Sequence, residues 1–236
     1  MNIEVAYYTE IGGRKFNEDA VSVTESDTGM LAIVSDGLGG HGGGQMASKQ
    51  CVSKVAGELL CMLPNEASLV SAIEKANASI LAMQNDEVQM KTTIAVCWIN
   101  GSKGFLANVG DTRIYLIREQ EIIYQSIDHT VAQLAVLGGA ITADEIRTNK
   151  DRNKLLRALG SSSELKIDTK VLEVKPQDRF LICSDGFWEH IKEQDILKQL
   201  REHETASAWM NAMRKQIERT GGDKMDNHSA IALRIQ

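Results

Sequence analysis

Two aspartates in this chain each close an apolar run and stand directly before a glycine: Asp36-Gly37 after Leu31–Ser35, and Asp185-Gly186 after Arg179–Cys183. A carboxylate at a strand end is well fixed, and the glycine leaves room for a cation or a phosphate to approach the main chain. Three more acidic points share the setting. Asn17-Glu18-Asp19 precedes one apolar run, Asp226-Asn227 precedes the last, and Asp111 sits in the turn Gly110-Asp111-Thr112-Arg113. Taken singly, each aspartate reads as a turn cap; their joint recurrence points to chemistry. Five carboxylates brought together raise one another's pKa and cannot all stay ionised without a cation. Hard divalent ions such as Mg²⁺ or Mn²⁺ take oxygen ligands and keep several waters. A water bridged by two of them becomes hydroxide near neutral pH and can attack phosphorus in line.

The first aspartate opens a glycine cluster, DGLGGHGGGQ over Asp36–Gln45, with six glycines among positions 37–44. Gly37-x-Gly39-x-x-Gly42 also fits a dinucleotide fingerprint, with Glu58 at the distance of a ribose contact. That fold needs strands and helices in alternation, and they are missing. A phosphate-binding P-loop fails because Gln45-Met46 stands where Lys-Ser/Thr is required. A flexible turn without chemistry stays open. Rival phosphatase chemistries lack their residues. The positions six after each cysteine are Gly57, Ala67, Lys103 and Glu189, so no Cys-x₅-Arg loop exists, and Asp36-Gly37-Leu38 is not the Asp-x-Asp of an aspartyl-phosphate enzyme. His41, His129, His190, His203 and His228 form no helical His-x₃-His pair and read as surface or turn residues, which argues against zinc.

Strands must position these groups. Apolar stretches recur at Ile3–Tyr8, Ala20–Thr24, Met30–Ser35, Thr92–Ile99, Gly104–Asn108, Arg113–Arg118, Ile122–Gln125, Thr169–Val174, Arg179–Ser184 and Ser229–Ile235. Several are near-continuous Ile/Val/Leu, which suggests strands covered on both faces. Apolar residues at Val52, Val55, Ala56, Leu59, Leu60 and Leu63 keep helical spacing, and further helices fit Glu66–Gln84, Asp195–Glu202 and Ala206–Arg219. Shorter helical patches, Val131–Leu137 and Thr142–Arg147, lie in an irregular stretch. Strands come in blocks joined by tight links, so the expected class is α+β, with antiparallel sheets and helices packed outside.

The 236 residues fit one domain, 1–236, and 43% hydrophobic with 25% charged residues is enough to bury a core. A net charge of −6 argues against binding nucleic acid through a basic surface. No apolar run approaches a membrane span, and Met1–Glu10 has no signal-peptide character. Cys51, Cys61, Cys97 and Cys183 are scattered, so they read as reduced core residues of a cytoplasmic protein. Trp98, Trp188 and Trp209 lie on apolar patterns and read as core.

In this order along the chain, the motifs resemble those of the metal-dependent protein phosphatases of the PPM (type 2C) family. The matching stretches are Arg14-x-x-Asn17-Glu18-Asp19, Asp36-Gly37-x-Gly39-Gly40-His41, Thr92-Thr93 and Ala107-Asn108-Val109-Gly110-Asp111-Thr112-Arg113. They continue with Asp128-His129-Thr130, Arg157-Ala158-Leu159-Gly160, Ser184-Asp185-Gly186 and Asp226-Asn227, and span nearly the whole chain. The resemblance implies a four-layer αββα sandwich and hydrolysis of phosphoserine and phosphothreonine in proteins with two Mn²⁺ or Mg²⁺ ions. By position, Asp36 would bridge the two ions and the Gly37 carbonyl would bind one. Asp185 and Asp226 would hold one ion, and Asp19 the other, mostly through water. Glu18 would accept a hydrogen bond from a water on the metal. Asp111, with Asp185, would form the weaker third metal site of bacterial members. Arg14 would grip the substrate phosphate, with two parallel donors on a permanent charge.

Some positions depart from the family. Leu38 stands where animal-type members carry a histidine proposed as general acid, and His41 is not given that task; a water on the metal could protonate the leaving group instead. Lys91 replaces a glycine and Thr112 a serine, neither at a metal position. The segment Val131–Asn153 matches the family's mobile flap, with Gly138-Gly139 as a hinge, and reads equally as a plain surface excursion. The expected partners are a serine/threonine kinase and its phosphorylated substrates. No nucleic acid, membrane or second copy of the chain is expected. A non-catalytic phosphoprotein-binding module of the same fold is the alternative.

Overall fold

The computed structural model describes residues 2–39, 42–85 and 87–236. In chain order the elements are β1 (Ile3–Glu10), β2 (Asp19–Ser26), β3 (Gly29–Leu38), α1 (Gly43–Leu59), α2 (Glu66–Met83), β4 (Lys91–Thr92), β5 (Ile94–Asn100), β6 (Lys103–Val109), β7 (Arg113–Arg118) and β8 (Glu121–Gln125). Then follow α3 (Val131–Leu137), a 3₁₀ turn (Ala143–Thr148), β9 (Asp168–Glu173), β10 (Arg179–Cys183), α4 (Asp185–Trp188), α5 (Glu193–Glu202), α6 (Ala206–Gly221) and β11 (His228–Ile235). All strand pairs are antiparallel. One sheet runs β1-β11-β10-β7-β8; the other runs β2-β3-β5-β6-β9, with β4 beside β3.

The near-continuous apolar strands are buried on both faces, because successive side chains point to opposite sides. Met30, Ala32 and Val34 face the space between the sheets, with Phe180, Ile182, Ile231 and Leu233 opposite. Leu31 and Ile33 point the other way, onto Val55, Leu59 and Ile73 of α1 and α2. Leu181 and Cys183 face Trp209, Met213 and Ile217 of α6. The result is helix, sheet, sheet, helix, as expected. Local signals set the ends of these helices. The Asn65 side chain accepts a hydrogen bond from Ser68 N–H at 2.8 Å to cap α2, and Gly42 starts α1 with a left-handed φ of 80°.

Several expectations are corrected. The strand expected over Thr92–Ile99 breaks at Thr93, whose N–H donates to the Asp36 carbonyl at 2.9 Å and whose hydroxyl accepts from Asp36 N–H at 3.0 Å. Helix α1 stops at Leu59, leaving Leu63 79% exposed and Cys61 at the surface in the following turn, although Cys51, Cys97 and Cys183 are core residues. The helical patch expected over Thr142–Arg147 is a 3₁₀ turn over Ala143–Thr148. His129 and His228, expected at the surface or in turns, are buried among polar partners. Helix α4 was not expected, since four residues carry no periodic signal. Trp98, Trp188 and Trp209 are fully buried, as read from the sequence.

Candidate active site

The chain ends of the inner strands open into one cavity of about 700 Å³. Arg14, Glu18, Asp36, Gly37, Asp111, Asp185 and Asp226 all line it. These come from the β1–β2 loop, β3, the β6–β7 turn, the start of α4 and the loop before β11. Asp19 is the one candidate that stands behind the wall. It opens β2, pairs in register with Asp36 on β3, and is buried. Its Oδ2 accepts from Ser184 Oγ at 2.8 Å, and its Oδ1 is buried with no partner. His41 and Gly40 lie outside the described residues.

Backbone contacts hold the strand ends together. Gly37 N–H donates to the Glu18 carbonyl at 3.1 Å. A Cβ on Gly37 would lie 2.1 Å from the Gly44 carbonyl oxygen, so only glycine lets β3 and the first turn of α1 approach this closely. Thr92 Oγ1 donates to the Asp36 carbonyl at 2.7 Å, fixing the other side. Sequence reasoning gave Asn227 no task, yet it ties down the loop that carries Arg14. Its Nδ2 donates to the carbonyls of Ile11 (2.7 Å) and Phe16 (3.0 Å), and its Oδ1 accepts from Glu18 N–H at 2.8 Å. Gln45 Nε2 adds a bond to the Asn17 carbonyl at 3.0 Å.

Burial and mutual repulsion dominate the electrostatics. Burial pushes Asp36 well above the usual carboxylate range, and the charges of Asp185, Asp19, Asp111 and Asp226 push it further. Asp185 is raised well above that range by burial, then by Asp111, Glu189, Asp226 and Asp19. Burial raises Asp111 to about 7, with Asp128 adding to it, and Asp19 to about 6 against the hydrogen bond from Ser184. Burial also raises Glu18. Such a group of acids is costly alone and suits a bound cation.

The donor set fits hard divalent ions. Every candidate ligand is oxygen, and the orphaned Asp19 Oδ1 is a buried acceptor awaiting a positive partner. Among the described residues, no three His, Cys, Asp or Glu side chains close around one point. Ions held here would therefore take further ligands from the Gly37 carbonyl and from water, as Mg²⁺ and Mn²⁺ do. One pairing departs from the sequence reading. Arg14 and Asp226, expected on phosphate and cation respectively, are joined at 2.5 Å through Asp226 Oδ2, while Asn227 N–H donates to Oδ1 at 2.8 Å. Glu58, the ribose contact of a dinucleotide reading, is instead paired with Lys54 at 2.8 Å and Lys75 at 2.6 Å.

The segment Val131–Asn153 is anchored beside the cavity. Arg152 pairs with Glu189 at 2.7 Å and Arg147 with Glu193 at 2.7 Å. Its last residue, Asn153, and Leu155 just beyond it line the cavity. Leu38 also lines the cavity, together with Lys15 and Phe16, to which sequence reasoning assigned no task; Phe16 is 64% exposed.

A sequence model described as Protein phosphatase 2C matches residues 9–228. A serine/threonine phosphatase, stp, from Listeria monocytogenes is 30% identical over 230 residues, covering 93% of this chain and 90% of that protein. The crystal structure of the Mycobacterium tuberculosis serine/threonine phosphatase PstP/Ppp superimposes with a TM-score of 0.89 at 28% identity, covering 99% of both chains. The catalytic domain of PstP in complex with two manganese ions superimposes with a TM-score of 0.87 at 27% identity, covering 99% of both chains.

Proposed function

The chain belongs to the protein phosphatase 2C family, and from that premise we infer how its own residues divide the work of a metal-dependent serine/threonine phosphatase. The enzyme hydrolyses phosphoserine and phosphothreonine in proteins with manganese or magnesium as cofactor. The observation that supports the division of labour is the convergence of Asp36, Asp111, Asp185 and Asp226 on one cavity, where burial and like charge raise three of them.

Asp36, the Gly37 carbonyl, Asp185 and Asp226 would hold one pair of ions with Asp19 behind them, and Asp111 with Asp185 would hold a weaker third. Bound there, the ions supply a water acid enough to lose its proton near neutral pH and positive charge facing the phosphoryl oxygens. Arg14 presents its guanidinium at the cavity mouth, where two parallel donors match two phosphate oxygens. Its pairing with Asp226, mostly a surface contact, leaves it positioned for exchange between carboxylate and phosphate. Glu18, its carboxyl raised by burial, is suited to accept the proton of the attacking water at a carboxylate oxygen. Asn227 and Gln45 hold the Arg14–Glu18 loop in place. No side chain stands for a histidine acid at Leu38, so the leaving oxygen takes its proton from water.

The finer setting is inferred from weaker signs. Unpaired cysteines favour the cytoplasm, and among the described residues no helix is long and apolar enough to cross a membrane. We assign phosphoproteins as substrates, a serine/threonine kinase as functional counterpart, and a monomer as the working form. The test is turnover of a phosphothreonine peptide and of p-nitrophenyl phosphate with Mn²⁺, with and without EDTA. Turnover that EDTA abolishes supports the assignment. Tight phosphopeptide binding without turnover would make the chain a binding module instead.

A further inference from the structure

The chain segment beside the cavity is wired to the Asp111 turn through buried polar contacts that the division of labour above does not use. Helix α4 begins at Asp185 and ends at Trp188, whose indole Nε1–H donates to the Asp111 carbonyl at 2.8 Å. One short helix therefore carries one acid of the cavity and holds the backbone of another. The indole is fixed from its other face, where the Arg113 guanidinium lies 3.6 Å from the ring centroid. Arg113 is itself locked. Asp128 takes its Nε at 2.9 Å and its Nη2 at 2.7 Å, and both side chains are buried.

The chain of contacts continues outward. Tyr115 Oη accepts from Arg113 Nη1 at 3.1 Å and donates to Glu193 Oε1 at 3.2 Å. The same Glu193 accepts both Arg147 Nη2 contacts, at 2.7 and 2.8 Å. Arg147 stands in the 3₁₀ turn of the Val131–Asn153 segment, and its Nε also donates to the Trp188 carbonyl at 3.0 Å. Arg147 thus grips the backbone of the residue whose indole holds Asp111. A charged fork buried against a carbonyl and a carboxylate has few alternative partners, so displacing it moves Trp188 with it.

We propose that Trp188 and Arg147 are positioning residues for the Asp111 turn, and that through them the Val131–Asn153 segment sets how tightly the Asp111 side of the cavity holds a divalent cation. The proposal rests on the metal-dependent phosphatase reading. Neither side chain lines the cavity. Loss of an outer hydrogen-bond partner that orients a ligand group typically costs about 10–100-fold in metal affinity.

The test is calorimetric titration of Mn²⁺ into the EDTA-stripped, dialysed full chain, alongside the Mn²⁺ dependence of phosphopeptide turnover and the melting temperature. Trp188→Phe keeps a ring under Arg113 and removes only the indole donor. Arg147→Ala removes the grip, and Arg147→Lys keeps the charge without the fork. Trp188→Phe and Arg147→Ala are each expected to weaken the weakest Mn²⁺ site about tenfold, leave the tighter sites unchanged, and raise the Mn²⁺ needed for half-maximal turnover by the same factor. Arg147→Lys is expected to fall between. If both variants titrate like the wild type, even with a lower melting temperature, Trp188 and Arg147 are structural only and the proposal fails. If Trp188→Phe does not fold, Arg147→Ala, outside both sheets, decides the matter by the same criterion. Wild-type protein that takes up no Mn²⁺ would reject the phosphatase reading itself, a result distinct from wild-type uptake with unaffected variants.

Discussion

Arg14 Nη2 lies 2.5 Å from Asp226 Oδ2, so the side chain suited to grip phosphate rests on one suited to hold a cation. The pair is open to solvent, with 57% of the Arg14 side chain exposed, and exposed ion pairs are worth only ~0–1 kcal/mol. A phosphate can therefore take the guanidinium from Asp226 at little cost. Arg14→Ala is expected to raise the KM for a phosphothreonine peptide about tenfold, lower kcat less, and leave stability within about 0.5 kcal/mol. Steady-state kinetics with the peptide check it. An unchanged KM takes Arg14 off the phosphate.

Asp36 sits at the focus of the acids, and its removal separates function from stability. Asp36→Asn is expected to cut Mn²⁺-dependent turnover by at least about 10²–10³-fold, as the loss of one charge-stabilising group does elsewhere. The stripped variant is expected to melt higher than the stripped wild type, because the cost of burying an ionisable carboxyl among Asp185, Asp19, Asp111 and Asp226 is then gone. Near-normal turnover, or a lower melting temperature without metal, contradicts this placement.

The raised acids also set a pH dependence for the metal-free protein. A carboxyl whose folded pKa exceeds its unfolded value keeps its proton longer in the folded state, so stability falls as pH rises through the interval between them. Asp19 at about 6 and Asp111 at about 7 place that loss between pH 4 and about 7, and Asp36 and Asp185, raised in the same direction, add to it. His228 works in the opposite sense, since burial lowers it to about 4 and its contribution grows from pH 4 to 6.5. The carboxylates therefore stand alone above pH 6.5. Stripped protein is expected to lose melting temperature from pH 6.5 to 8, and saturating Mn²⁺ to flatten the slope. A rising melting temperature without metal over that range is the contrary result.

The strand-end acids were legible because their signal is local: an apolar run, an aspartate, a glycine. Asp36 and Asp185 both carry it, and the two-sided burial of β3, β5 and β10 follows from uninterrupted apolar runs. The Arg14–Asp226 pair joins residues 212 positions apart, and no spacing rule reaches that far. Trp188 was read correctly as core, but its indole bond to Asp111 depends on α4, a four-residue helix too short to leave a periodic trace. Asn227 stands inside a recognised motif, yet its grip on Ile11, Phe16 and Glu18 becomes visible only when the β1–β2 loop is folded against β11.

Gly37 tests whether the close packing of backbones is what shapes the cavity. A Cβ there would lie 2.1 Å from the Gly44 carbonyl oxygen, 2.4 Å from the Gly44 carbonyl carbon and 2.6 Å from the Glu18 carbonyl oxygen. None of these is the tip of a flexible side chain, so β3, the start of α1 and the β2 loop must part. Gly57 is the matched control: it lies on the exposed face of α1 with nothing within 4 Å of its added Cβ. Gly37→Ala is expected to cost ~1–3 kcal/mol, the range of forced overpacking, and to weaken Mn²⁺ binding, because the Gly37 carbonyl and Glu18 shift together. Gly57→Ala is expected to gain about 0.5–1 kcal/mol from helix propensity with Mn²⁺ binding unchanged. Thermal melts and Mn²⁺ titrations of the two variants decide it. If Gly37→Ala binds Mn²⁺ and melts as the wild type does, the close approach of β3 to α1 is not what forms the site.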